Sequence, residues 1–391
     1  MLKTRKVASK VIAISSAMIL AASVATPAQA ATITGSGSTA IKNLLDICIP
    51  NYNGKSGHTI TYAGGGSGAG RTAFNNGTVD FAMSDATYAA TAAQPTGKFV
   101  YVPLTQFPLA LIVKLDGVTN IQLSPATVAG IFAGQITKWN DAKIVADNTP
   151  VTTSKVKGKT VTKAGKAPKL PDTAITVAHR ADGSGTTAIF TDYLAKVSPK
   201  WKDSVGSGAA VKWPAASSVG GKGNEGVAAN VTRVKNSVGY VEYAYAKKNK
   251  MTYISLKNKD GNFVAPDDTT FAAAAASTDW SAIPGMGTFI TNAPGAKSWP
   301  ITGASFILIY KNPENKANVA EVIKFFDFAF KDGKKMAEEL DYVPMPDKTT
   351  DYIRKNVFTK IGKIDPVPNA ARGLFGLGVT ELRIFFEKAS R

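Results

Sequence analysis

Three times along this chain a short β-like run ends in a loop of Ser, Thr and Gly, and a helical pattern starts directly after it. The first run is 32–34, followed by Gly35-Ser36-Gly37-Ser38-Thr39 and then by Ile41, Leu44, Leu45 and Cys48 at helical spacing. The second is 58–62, followed by a glycine-rich loop over 64–70 that holds Ser67, and then by a short helix predicted over 71–76. The third is 175–178, followed by Arg180-Ala181-Asp182-Gly183-Ser184-Gly185-Thr186. The helix after it has Ile189, Phe190, Tyr193, Leu194 and Val197 on one face. Strands and helices in alternation argue for an α/β fold with a mainly parallel sheet. Further strands are expected at 79–83, which ends on Ser84-Asp85, and at 107–115, 238–245 and 306–310. Helices are expected at 125–132, over the alanine run 272–276, and along the face marked by Val319, Val322, Ile323, Phe326 and Phe330. No internal repeat is present.

The three loops share one chemistry. The start of a helix presents unpaired backbone N–H groups and the positive end of the helix dipole. Glycine lets an anion approach the backbone closely, and hydroxyls add donors. A single such loop reads equally as an N-cap, the commoner use of Ser and Thr there. Three of them, with Arg180 leading one and Asp85 closing another strand, point to a site for a tetrahedral oxyanion. In open α/β sheets ligands sit beyond the carboxyl ends of the strands, where these loops fall.

Composition removes several other chemistries. Cys48 is the only cysteine, and His58 and His179 are the only imidazoles, so cysteine-built zinc sites and three-His metal sites are excluded. The chain carries 46 Lys+Arg against 28 Asp+Glu, a net of +18. Part of that excess belongs to 1–30, which reads as a secretory signal peptide. Lys3, Arg5, Lys6 and Lys10 form its basic start, 11–24 its apolar stretch, and Ala28-Gln29-Ala30 its cleavage site. The apolar stretch is short for a membrane span. Without the leader the net charge falls to +14. Six lysines lie within 150–172, which reads as a solvated loop or a projecting hairpin, with a cationic docking patch as the sharper alternative.

Competing motifs are weaker. Gly64-x-Gly66-x-x-Ala69, with Asp85 beyond it, loosely matches a dinucleotide fingerprint, but the helix expected after it is very short. No Walker lysine follows these glycines, and neither Ser67 nor Ser184 lies in a Gly-x-Ser-x-Gly elbow. His179 reads as a strand-end residue and not as a catalytic base. The basic balance raises nucleic-acid binding, but no aromatic–basic stripe supports it.

Taken in order, these loops resemble the periplasmic phosphate-binding proteins of bacterial high-affinity phosphate ABC transporters, over nearly all of 31–365. The resemblance rests on Ile33-Thr34-Gly35-Ser36-Gly37-Ser38-Thr39, on Val79-Asp80-Phe81 with Ser84-Asp85, and on the 180–186 loop. It extends to Val211-Lys212-Trp213-Pro214, Gly220-Gly221-Lys222-Gly223-Asn224, the 238–247 run and Trp299-Pro300-Ile301-Thr302, none of which reads as ligand-directed. It implies a two-lobed periplasmic binding protein fold, type II-like, with two crossover hinge strands. Lobe one would be 31–105 and 300–366, and lobe two 106–299. It implies binding of inorganic phosphate in the cleft and delivery to a membrane permease, by a periplasmic monomer without cofactor, metal, nucleic acid or catalysis. A secreted phosphatase or other hydrolase is the alternative.

The implied phosphate ligands are Ser38, Thr39 and Ala40 from the first loop, Ser67 from the second, Asp85, and Arg180, Ser184, Gly185 and Thr186 from the third. Ser38 and Ala40 would act through the backbone, and Asp182 would hold Arg180. Arg180 also reads as a plain ion-pair partner of Asp182. Asp85 beside an anion makes sense if it accepts a proton still carried by the ligand; its other reading is a helix cap. The chain departs from the family at Ala40, where Phe is frequent, in the longer Lys-rich stretch, and in a tail over 367–391. That tail reads as an extra packed helix or an altered C-terminus.

Overall fold

The computed structural model describes residues 30–88, 99–156 and 159–362 of the chain. The expected leader up to 29 and the whole 367–391 tail lie outside the described residues. Strand β1 (Thr32–Gly37) leads into helix α1 (Lys42–Ser56), which buries Leu44, Leu45, Cys48 and Tyr52 and stops at Gly57, in the left-handed region at φ 71°. Burial pushes the Cys48 thiol up to about 12, so it is inert packing. Strand β2 (Thr59–Ala63), helix α2 (Ser67–Asn75) and strand β3 (Phe81–Ser84) follow, and β2 and β3 both pair parallel to β1.

Helix α2 corrects the expected 71–76 helix: it begins at Ser67, inside the glycine-rich stretch. Glycine is a poor helix former. It is needed here because a Cβ on Gly70 would lie 2.4 Å from the Gly37 Cα, and one on Gly68 would lie 2.9 Å from the Gly183 Cα. Close approach of neighbouring backbone selects these glycines.

Strand β4 (Phe99–Lys114) is longer than the expected 107–115, and it serves two groups of strands. The second group contains β5 (Thr176–Arg180), helix α3 (Gly185–Val197), β6 (Ser218–Gly221), helix α4 (Gly223–Arg233), β7 (Ser237–Glu242) and the short helix α5 (Tyr243–Lys248). The chain returns through β8 (Thr302–Tyr310) to the amphipathic helix α6 (Lys316–Lys331). The order in the main sheet is β2-β1-β3-β8-β4-β7-β5-β6. Residues 99–108 of β4 pair with β8, and 109–114 pair with β7.

The expectation of a mainly parallel sheet therefore holds only within each group, β2-β1-β3 and β7-β5-β6. The two long strands between the groups run antiparallel to their neighbours, and β4 carries the pairing from the first group into the second. This is a two-lobed α/β architecture with two crossover strands. The predicted 238–245 strand also ends early, at Glu242. The Glu242 carboxylate accepts the Ala244 and Tyr245 N–H groups at 2.6 and 3.1 Å and so starts α5.

The Lys-rich stretch forms a two-stranded hairpin, Val151–Val156 against Lys159–Ala164. It is exposed, with Val151 at 60 % and Val161 at 45 %. An isolated hairpin contributes little stability to the body. Replacing 151–164 with a short Gly-Ser link should leave the melting temperature within about 2 °C, as for other surface changes. Calorimetry checks this, and a drop of several degrees would mean that the hairpin packs on the body.

Candidate anion-binding site

The loops after β1, β2 and β5 come together with the end of β3. Asp85, just past β3, is their common point and is 1 % exposed. Its Oδ2 accepts the Ser38 hydroxyl at 2.5 Å and the Ser67 hydroxyl at 3.4 Å. Its Oδ1 accepts the Ser305 hydroxyl at 2.8 Å. The Asp85 N–H donates back to Ser67 Oγ at 3.1 Å. Burial raises the Asp85 carboxyl to about 6, against the pull of the three serine hydroxyls and of the Arg180 charge. Among the described residues no helix begins at Asp85, which is a buried acceptor collecting hydroxyl donors.

Arg180, at the end of β5, is also buried. Its Nε and Nη2 donate to Asp182 Oδ1 and Oδ2 at 2.7 and 2.5 Å, and Nη1 donates to Thr186 Oγ1 at 3.2 Å. Those bonds use three of the five guanidinium N–H groups and leave two without a partner among the described residues. Burial works against the Asp182 charge, but the Arg180 fork and the Gly223 N–H hold its carboxyl below the usual range. Asp182 thus orients Arg180, and the pairing does not exhaust the guanidinium.

The remaining expected residues fall in place with different engagements. The Ser184 hydroxyl accepts the Thr187 N–H at 3.0 Å, so Ser184 is the N-cap of α3, and its own N–H donates to Ala209. The Ala40 N–H donates to Ser38 Oγ at 3.0 Å. Thr39 Oγ1 accepts from Asn224 Nδ2 at 3.1 Å. Gly185 is the tightest point: a Cβ there would lie 2.5 Å from Ser67 Oγ and 2.6 Å from the Asp85 Cβ. The Gly68 N–H donates to the Gly183 carbonyl at 2.7 Å, which brings the second and third loops into direct backbone contact.

Three contributions were not expected from the sequence. Ser305 reaches Asp85 from the middle of β8, beside a register shift between Ser305 and Phe306 where the pairing skips Leu104. A bulge of this kind re-aims a side chain. The Gly220–Asn224 run, which does not read as ligand-directed, supports two of the expected residues: the Gly223 N–H donates to Asp182 Oδ1 and Asn224 Nδ2 donates to Thr39 Oγ1. Trp213, in another such run, stacks on His179 at 5.1 Å.

Both imidazoles are occupied away from any serine hydroxyl. His179 Nδ1 bonds the Arg180 carbonyl at 3.0 Å, while His58 accepts the Ala31 N–H and faces Glu321. No Ser–His–Asp arrangement exists among the described residues. No cluster of His, Cys, Asp and Glu among them is able to hold a metal ion. No described helix is long and apolar enough to cross a membrane.

The chain resembles known proteins over most of its length. The PBP superfamily domain matches residues 22–332. The phosphate-binding protein PstS of Pasteurella multocida is 41 % identical over 354 residues, covering 89 % of this chain and 96 % of that protein. That of Haemophilus influenzae is 40 % identical over 341 residues, covering 85 % and 95 %. Among solved structures, a phosphate-binding protein from Stenotrophomonas maltophilia superposes with a TM-score of 0.58 at 19 % identity, covering 83 % of this chain and 93 % of that one. An ABC-type phosphate transport receptor from Vibrio cholerae gives 0.51 at 20 % identity, covering 80 % and 100 %. With its three loops gathered on Asp85 and Arg180 and these relatives matched over most of their length, the chain belongs to the PBP superfamily and, within it, to the family of the phosphate-binding proteins PstS.

Proposed function

We propose that this chain binds inorganic phosphate in the cleft between its lobes and delivers it to the membrane permease of an ABC transporter. One observation carries the reading. A buried carboxylate, Asp85, sits among hydroxyl donors opposite a guanidinium that keeps free N–H groups. Phosphate near neutral pH keeps one or two protons, so it needs donors for its bare oxygens and one acceptor for its proton. Sulfate offers no proton and would leave Asp85 facing like charge in a dry cleft. The donors would be Thr39, Ser67, Ser184 and Thr186, the backbone at Ser38, Ala40 and Gly185, and Arg180.

In this reading 31–105 with 300–366 forms lobe one and 106–299 forms lobe two. The lobes close on the ligand as a hinge motion. The protein is exported, loses its leader near Ala30 and works as a soluble periplasmic monomer without cofactor or chemistry on phosphate. Equilibrium dialysis of the mature protein with labelled phosphate, competed by arsenate and by sulfate, tests it. Stoichiometric binding with competition by arsenate alone is expected. Turnover of a phosphoester would instead favour the hydrolase alternative.

Closure itself is open to test. Because a Cβ at Gly185 would overlap Ser67 and Asp85, Gly185→Ala should hold the loops apart. Phosphate affinity is then expected to fall at least about a hundredfold, the scale of losing two charge-assisted hydrogen bonds. Affinity of the wild-type level in this variant, measured by the same dialysis, would rule out the closed contact as the binding form.

A further inference from the structure

We propose that Asn224 is a positioning residue that aims the Thr39 hydroxyl at the ligand, a role that rests on the phosphate reading of the cleft. Asn224 is 1 % exposed and lies in the first turn of α4. Its Oδ1 accepts the Glu242 backbone N–H at 3.1 Å, which fixes which end of the amide faces which way. The Nδ2 end is thereby directed at Thr39 Oγ1, 3.1 Å away, and the Asn224 backbone N–H points at the same oxygen from 3.4 Å. A hydroxyl has one proton and two lone pairs. With N–H groups directed at its lone pairs, the Thr39 oxygen keeps its proton for donation, and no acceptor for that proton is found among the described residues. Thr39 lies in the first lobe and Asn224 in the second, so this aim is set in the closed cleft, where a donor held in place stabilises the anion without reorganising. The turn that carries Asn224 is specified for this place: Gly223 has φ 72°, and its N–H supports Asp182 at 3.1 Å, so one turn orients both Thr39 and, through Asp182, Arg180.

A thermodynamic cycle in phosphate affinity tests the proposal, with wild type, Asn224→Ala, Thr39→Val and the double variant measured by equilibrium dialysis. Each single change is expected to weaken phosphate binding about tenfold, as for a lost buried hydrogen bond. On the Thr39→Val background the further loss from Asn224→Ala should shrink to less than about twofold, because the hydroxyl it acts through is gone. The Glu242 N–H left without its acceptor is common to both backgrounds and cancels. Equal losses in the two backgrounds would overturn the positioning role and leave a merely structural one. Should Asn224→Ala melt below the assay temperature, Asn224→Asp, which keeps the shape, takes its place under the same criterion: its loss must shrink on the Thr39→Val background. A wild-type protein that fails to bind phosphate would overturn the cleft reading itself, an outcome distinct from additive losses around a site that does bind.

Discussion

Asp85→Asn is expected to collapse the preference for phosphate over sulfate while leaving the fold intact. The wild-type site should reject sulfate by about 10⁴-fold, the scale seen when a site built to bond a ligand proton meets an analogue without one. Asparagine keeps the shape and can still receive serine hydroxyls at its oxygen, but it removes the charge that repels sulfate. The affinity ratio should fall at least about a hundredfold, read by dialysis of both anions at pH 7.5. An unchanged ratio would remove Asp85 from the account of specificity. Burial sets the carboxyl at about 6, so it is mainly ionised at neutral pH. As pH falls through 6, Asp85 takes a proton of its own, and the wild-type ratio should decline toward that of the variant.

The same shift has a sign for stability. A carboxyl raised from 3.8 to about 6 in the fold costs nothing below pH 3.8, and the cost grows as pH rises through 6. At its full extent it reaches roughly 3 kcal/mol. The ligand-free Asp85→Asn protein should therefore melt higher than wild type at pH 8, with the gain fading as pH approaches 4.

Arg180→Lys is the second large effect. The charge survives, but the planar fork does not. Lysine cannot bond both Asp182 oxygens and Thr186 and still present two N–H groups toward the cleft. Loss of two charge-assisted bonds predicts about a hundredfold weaker phosphate binding or worse. Asp182 would also be left half-paired in a partly buried setting, so the melting temperature should fall as well. Near-native affinity in this variant would mean that Arg180 serves Asp182 alone.

Much of this was readable in the residues because it is local. Apolar runs flanked by Gly and Ser mark β1, β2, β3 and β5, and helical spacing marks α1, α3 and α6. The loops carrying Ser38, Ser67, Asp85 and Arg180 lie at strand ends, which is all that the oxyanion reading needed. What escaped depends on partners far along the chain. Ser305 stands 220 residues from Asp85 and is aimed by a bulge that exists only once β8 pairs with β4. Asn224 looks like an ordinary first-turn residue until Thr39, 185 positions away, is beside it. The 238–245 run reads as strand throughout, because the Glu242 cap that ends β7 is a three-dimensional event. Gly68 and Gly70 read as loop because the backbone they pack against is invisible to local propensity.

The backbone contact between Gly68 and Gly183 has an entropic consequence. Side chains with several rotamers each lose up to about 2 kcal/mol of conformational freedom when an interface traps them, whereas glycine has none to lose. A contact made of bare backbone at this point traps no rotamer, so more of the energy gained on the anion remains as affinity. The same economy leaves no slack: any side chain added at these positions has to be accommodated at the ligand's expense, so intolerance to substitution should be high at residues that offer the anion no side-chain group.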